Sequence, residues 1–303
     1  MENRKRLVMI IKPLFTLLNK LPRAVDFLLL AVNLRSVTKC HLLILSIGLY
    51  NGVLVAQDSK DFWVLAYPEA PFIEQTEKGK LKGFLVDEVN GILATAGIRQ
   101  QILLAPWKRL ELEAKAKPNV LAFALTRTPE REQNYHWITP LTANVYSVFS
   151  PQKIVRPLNN IEQLSTFDSI AVLENDVRHK LLQAQNAKNI QVYSSWSDAI
   201  DSVVSGESSA IFFSDSGVQY FCRVQGKDCN QFERVFLYEK TITYLTLSKV
   251  GSNPELVNRL KSAAEQYKDS DAFKTISKDW LKQYETLPIP MHMEDGVLNL
   301  WNK

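Results

Sequence analysis

An α/β protein of two lobes, joined by two extended crossings, is the fold the sequence predicts, and two observations predict it. From Phe62 onward, apolar strand-like runs alternate with stretches of helical periodicity, the pattern of layered α/β folds. The alternation comes in two successive blocks with no repeat, Gly/Ser linker or Pro-rich spacer between them. The chain is therefore expected to pass between lobes as extended strand, near Asn144–Ser150 and again near Lys240–Leu247.

In the first block, Phe62 to Tyr67 reads as a buried strand. Leu85 to Gly97 places Val86, Val89, Ile92, Leu93 and Ala96 on one helical face and ends on a glycine stop. A strand over Gln101–Ala105, a helix around Leu110–Lys117 and a strand over Asn119–Leu125 follow. The second block reads as strand Ser169–Leu173, helix Val177–Ala184, strand Ile190–Tyr193, helix Ser197–Ser205 and strand Ala210–Phe213. A strand over Ile242–Ser248 then leads to two long helical stretches, Pro254–Lys268 and Asp271–Tyr284. The tail from Thr286, with Pro288 and Pro290, has no periodicity, and no element is expected there.

Composition bounds the function. With 46% hydrophobic and 22% charged residues in 303, the chain is globular rather than disordered, collagen-like or a multi-span membrane protein. The formal charge of +4 is unevenly placed. Residues 1–56 carry eight basic and two acidic residues, which leaves 28 basic against 30 acidic in residues 57–303, a net of −2. The apolar run from His41 to Ala56, preceded by Lys39 and followed by polar Gln57-Asp58-Ser59-Lys60, has the pattern of a signal peptide cleaved after Ala56. A short membrane-anchoring or amphipathic leader is the alternative. Since a signal normally takes about 15–30 residues, residues 1–36 are surplus and read as an over-extended gene model starting ahead of Val37. The positive charge thus belongs to an export address, and neither nucleic acid nor lipid is expected as a partner.

Of the three cysteines, Cys40 falls in the leader. Cys222 and Cys229 flank Gly226 and suit a small disulfide-closed loop in an oxidising compartment, with free thiols as the alternative. Nucleotide-loop, nucleophile-elbow and zinc-protease signatures are absent, and the histidines are dispersed, so neither a cofactor nor a metal is expected. The informative segment is Thr126-Arg-Thr-Pro-Glu-Arg131, directly after a strand. Hydroxyls beside a fixed arginine can hold a carboxylate through charge-assisted hydrogen bonds; a charged loop capping a helix has the same composition.

Taken in order, Glu69-Ala-Pro-Phe72, Gly79-Lys-Leu-Lys-Gly83-Phe84-Leu-Val-Asp87, Ala94-Thr-Ala-Gly97, Pro106-Trp107-Lys-Arg109 and Thr126–Arg131 resemble the family 3 extracellular solute-binding proteins of bacterial ABC importers. Ile161–Leu164, Ile170–Val172, Gly206–Asp215 and Val257–Leu281 are similar to that family's second-lobe and closing segments. The resemblance covers roughly residues 62–285. It implies a type II periplasmic-binding fold, with lobe 1 over 57–146 and 245–303 and lobe 2 over 147–244. It further implies a monomeric protein of the periplasm that captures an amino acid or similar carboxylate-bearing solute and serves a membrane ABC permease.

By the same resemblance Arg131 grips the solute carboxylate with Thr126 beside it, Asp215 pairs with the ammonium, and Glu69, Trp107, Tyr67 and Phe72 line the pocket. Trp107, Tyr67 and Phe72 also suit a core, and Glu69 a solvated loop. This chain departs from the family at Asn175-Asp176, where a Gly-Thr loop is usual, and at Ser209 and Asn119, where acids are. Together with the extra Arg127, Asp176 implies a pocket of altered polarity. A periplasmic enzyme of the cyclohexadienyl dehydratase kind, with Glu69, Glu174 or Asp176 as acid or base, and a sensory module are the rival readings of the same scaffold.

Overall fold

The computed structural model describes residues 62–151, 158–224, 226–227, 232–287 and 289–301. The leader, its cleavage after Ala56, Cys40 and Cys229 lie outside the described residues. One mixed sheet organises the rest. Its first half holds β1 (Trp63–Ala66), parallel to both β4 (Ile102–Leu104) and β5 (Val120–Thr126). Its second half holds β7 (Ile170–Leu173), parallel to both β8 (Ile190–Tyr193) and β9 (Ala210–Ser214). Between them lie two 16-residue strands, β6 (Tyr135–Ser150) and β10 (Glu233–Ser248), paired antiparallel along their length. The order is β4-β1-β5-β10-β6-β9-β7-β8. The two expected crossings, Asn144–Ser150 and Lys240–Leu247, lie within these strands, where Asn144 faces Thr241 and Tyr146 faces Glu239.

Helices cover the sheet as the periodicity predicts. In α1 (Phe84–Thr95), Phe84, Leu85, Val89, Ile92 and Leu93 are buried. Gly83 opens it at φ 128°, where a Cβ would stand 2.1 Å from the Phe72 carbonyl oxygen. Its end is a Schellman motif: Gly97, at φ 69°, donates to Ala94 O, and Ile98 donates to Leu93 O. The others are α2 (Trp107–Ala116), α3 (Val177–Ala184), α4 (Trp196–Val204), α5 (Asp215–Val224), α6 (Pro254–Asp269) and α7 (Asp271–Tyr284). Asn253 and Ser270 cap α6 and α7 with their side chains.

Three apolar clusters hold the layers. One draws its buried residues from 62–141 and 245–300, and a second from 146–236. The third joins Leu65, Trp107, Leu110 and Leu125 to Leu173, Trp196, Ile200 and Phe213, bridging the two halves of the sheet.

The structure adds elements beyond the expected ones. Helix α5 begins at Asp215, immediately after β9 ends at Ser214, with no loop between them to mark the change from strand to helix. The tail forms a hairpin, β11 (His292–Glu294) with β12 (Val297–Asn299), and β12 lies parallel to β6 through Leu298 and Asn299. Asp295 and Gly296 turn it at φ 50° and 70°, the two left-handed positions of a type I′ turn. A two-stranded pair, β2 (Glu74–Gln75) with β3 (Leu81–Lys82), stands apart from the main sheet.

Candidate functional site

A closed chamber lies over the middle of the long strands. Tyr67, Glu69, Trp107, Ala124 and Thr126 line it from the first half, and Leu173, Asp176, Arg178, Trp196 and Ser214 from the second. Thr142, Asn144, Tyr146 and Thr243 form its floor on β6 and β10. Its free volume is about 30 Å³, on the order of a single water, so a solute can enter only if the walls part. Two larger grooves, of about 810 and 930 Å³, lie against α7 and the tail hairpin and beside β2 and β3. The chamber is the better candidate because charge and aromatic surface converge on it from both halves.

Local structure explains how its walls are aimed. In β5 the two residues Phe123 and Ala124 oppose the single residue Leu245, a β-bulge, and Ala124 stands at φ 63°. A left-handed conformation costs a non-glycine residue on the order of 1–2 kcal/mol. This bulge sits two residues ahead of Thr126, whose Oγ1 lies 2.6 Å from the Tyr146 hydroxyl on the floor. Beside them Thr142 Oγ1 and Thr243 Oγ1 are 2.8 Å apart, and Asn144 Nδ2 donates to Ser216 Oγ at 2.7 Å.

The charged centre is contributed by α3. Asp176 is its N-cap, accepting from the Arg178 backbone N–H at 3.0 Å. The Arg178 guanidinium returns to the same carboxylate in a fork, Nε to Oδ1 at 2.5 Å and Nη2 to Oδ2 at 2.8 Å. Both residues are 5% exposed. The Arg178 guanidinium carbon lies 4.2 Å from the Tyr146 ring centroid, 4.5 Å from that of Trp196 and 5.4 Å from that of Phe213. Burial alone would raise the Asp176 carboxyl; the charge and hydrogen bonds of Arg178 outweigh it and hold the pKa below the usual carboxylate range. Arg178 is held protonated, its own burial outweighed by Asp176. Across the chamber, Glu69 is pushed up to about 7, first by burial, with Arg178 opposing and Asp176 adding to the rise.

The expected site residues fall into two groups. Thr126, Trp107, Glu69, Tyr67 and Asp176 line the chamber, with Tyr67 edge-on to Trp107 at 6.0 Å. Arg131, Arg127, Phe72 and Asp215 do not. Arg131, 2% exposed, lies behind the wall: its Nη1 donates to Thr126 O at 3.1 Å, its Nη2 stands 3.4 Å from Glu111, and its guanidinium is 5.5 Å from the Trp107 ring. Arg127 points to the outer face, paired with Glu132 at 2.6 Å and set against Trp137 and Tyr244. Phe72 packs edge-on against Tyr284 and reaches a crevice beside Glu69. Asp215 is held by Arg234 at 2.6 Å.

Among the chamber residues the sequence reading missed, Arg178, Trp196 and Tyr146 bring the charge and the aromatic faces; Ala124, Thr142, Asn144, Leu173, Ser214 and Thr243 were missed as well. A signal was present for Arg178, two positions beyond the unusual Asp176 at a helix start. Among the described residues no cluster of acids, histidines or cysteines has the spacing of a metal site, and no helix is long and apolar enough to cross a membrane.

Solved structures give the fold a context. A histidine kinase sensor domain with similarity to periplasmic binding proteins superposes with a TM-score of 0.62 at 15% identity, covering 73% of this chain and 96% of that one. The arginine-, lysine-, histidine-binding protein ArtJ from Geobacillus stearothermophilus gives 0.58 at 18% identity, covering 75% and 96%. An ancestral amino acid-binding protein, AncCDT-1, a precursor of cyclohexadienyl dehydratase, gives 0.58 at 16%, covering 73% and 95%. No curated protein sequence matches the chain. The architecture, a central mixed sheet of two parallel halves joined through two long strands, is the type II periplasmic-binding fold. With residues 64–283 matching the family throughout both halves of that fold, the chain belongs to the bacterial extracellular solute-binding proteins, family 3.

Proposed function

We propose that this protein captures an amino acid or a similar small carboxylate-bearing polar solute in the periplasm, by closure of two lobes, for an ABC-type permease. The observation that carries the reading is a chamber lined from both halves of the sheet, in which a buried guanidinium and two carboxyls face one another among aromatic rings. The lobes are 57–146 with 245–303, and 147–244; the composition of the two separate apolar clusters supports that division. A solute touching both walls stabilises the closed state over any open one, because only closure makes both sets of contacts.

In this reading Arg178 takes the anchoring role that the family pattern assigns to Arg131. A guanidinium carries five N–H donors, and Asp176 engages two of them through the side chain, so three remain for a solute carboxylate. Arg131 instead fixes the backbone behind Thr126 and supports the face of Trp107. Glu69 replaces Asp215 as the partner for an ammonium, since both oxygens of Asp176 are taken by Arg178. In the same reading Cys222, which is disulfide-bonded, pairs with Cys229, as an oxidising periplasm allows.

The test is a thermal-shift and calorimetric screen of the exported protein against amino acids, polyamines and small carboxylates, with mass spectrometry of co-purified solute. Stoichiometric binding without turnover is expected, and Arg178→Ala should lose about 2–5 kcal/mol of it, the range for truncating one side of a buried charge pair. A second reading, a dehydratase-like enzyme, is favoured by one observation: Glu69, with a pKa of about 7 inside a closed chamber, is suited to proton transfer. Turnover of prephenate or arogenate would establish it and overturn the first.

A further inference from the structure

The chamber holds the parts of a receptor for a cation, and the chain has filled it from within. Asp176 presents both carboxylate oxygens to a guanidinium, and the faces of Tyr146 and Trp196 lie 4.2 and 4.5 Å from that guanidinium's carbon. A carboxylate fork with aromatic faces is the recognition chemistry of an arginine-like or quaternary cation. Here the cation is the chain's own Arg178, held 5% exposed in a chamber with about 30 Å³ to spare.

We propose that Arg178 is a specificity-determining residue: by occupying the cation cage of Asp176, Tyr146 and Trp196 it excludes solutes with cationic side chains and turns the chamber toward solutes that present an anion to its guanidinium. Displacing Arg178 is costly, because Asp176 would be left buried and Arg178 would lose its aromatic neighbours unless an external cation restored every contact at once. An incoming guanidinium or ammonium also meets the charge of Arg178 before it reaches Asp176. A carboxylate meets that charge favourably and disturbs neither partner.

This inference rests on the reading of the chamber as a solute site, but its test does not need the natural solute. In Arg178→Ala the missing part of the side chain is ethylguanidinium. That molecule should bind the variant and raise its melting temperature by on the order of 3–6 °C at tenfold excess over its Kd. Arginine and agmatine should do the same, whereas wild type should gain nothing from any of the three and serves as the control for their denaturing effect. Replacing the acid as well, in Asp176→Asn/Arg178→Ala, should abolish the gain. If Arg178→Ala is unfolded alone, recovery of its circular-dichroism signal with ethylguanidinium supports the proposal and no recovery overturns it. A folded Arg178→Ala that ignores ethylguanidinium also overturns it, as does wild type that binds arginine or agmatine. A wild type that binds no small molecule while the variant still takes ethylguanidinium would instead fail the solute-binding reading and leave the cage standing.

Discussion

Glu69 is the residue through which the proposed solute binding would respond to pH. Its carboxyl is raised from the ordinary 4.5 to about 7, mainly because burial disfavours the charged form, and Arg178 offsets only part of this. The unfolded chain releases this proton near 4.5 and the folded chain near 7, so the contribution of Glu69 to stability is fully present below pH 4.5. It is lost as pH rises to 7. Solute binding should run the other way: as Glu69 ionises, an ammonium gains its partner. Affinity for a zwitterionic solute is expected to rise severalfold between pH 6 and 8 in calorimetry. Glu69→Gln should bind more weakly and show a flat profile. An unchanged slope in the variant would remove Glu69 from the site. Of these facts the sequence displayed only an acid beside aromatic residues; the neighbours that shift its proton are more than 100 positions away.

At the scale of elements, close packing sets the tolerances. Gly91 lies inside α1, where alanine would ordinarily be the better helix former by about 1 kcal/mol. A Cβ there would stand 2.0 Å from the Tyr267 ring of α6, so the two helices meet through this gap. Overpacking of this kind costs about 1–3 kcal/mol and should outweigh the propensity gain. Gly91→Ala is therefore expected to unfold at lower urea concentration than wild type. Gly91→Ala with Tyr267→Phe should recover little, because the ring carbon Cε2, at 2.4 Å, clashes as well as the hydroxyl. A stabilised Gly91→Ala would show that α1 and α6 can separate freely.

The helices were legible because amphipathic periodicity is local: Val177–Ala184 and Asp271–Tyr284 agree end for end with the sequence reading. The tail hairpin could also have been read, since Asp295-Gly296 is a hairpin turn signal, but its strands are three residues long and gave no alternation to notice. Helix α5 was not legible in the same way, because an exposed turn did not separate it from β9.

For the whole molecule, the proposed capture requires the chamber to open. Contacts independent of any solute already bridge its rim: Lys180 with Glu111, Lys108 with Glu174 at 3.0 Å, and the Tyr220 hydroxyl donating to Glu74 at 2.6 Å. The exposed Lys108–Glu174 pair contributes little, on the order of 0–1 kcal/mol. Glu111 gathers Arg131, Lys115 and Lys180, and those partners hold its pKa low against its burial. A solute that adds contacts on both walls should shift the population toward the closed form. Small-angle scattering is expected to show a smaller radius of gyration with solute than without. Glu111→Gln should enlarge the difference by opening the solute-free form. Identical scattering with and without a bound solute would sink the closure mechanism.

The sequence by itself determined the α/β class, the two-block order, the helix faces and the five ordered motifs that pointed to the family, because each depends on residues near one another in the chain. It also isolated the unusual Asp176. Which arginine faces the chamber was decided by tertiary structure alone. Arg131 sits in the motif, yet Glu111 and the Thr126 carbonyl oxygen hold it behind the wall. Arg178 sits in no motif, yet Asp176, Tyr146 and Trp196 hold it inside the chamber. A guanidinium settles where its charge is paired and its faces are covered, and those partners come together only when β6, α3 and α4 are packed.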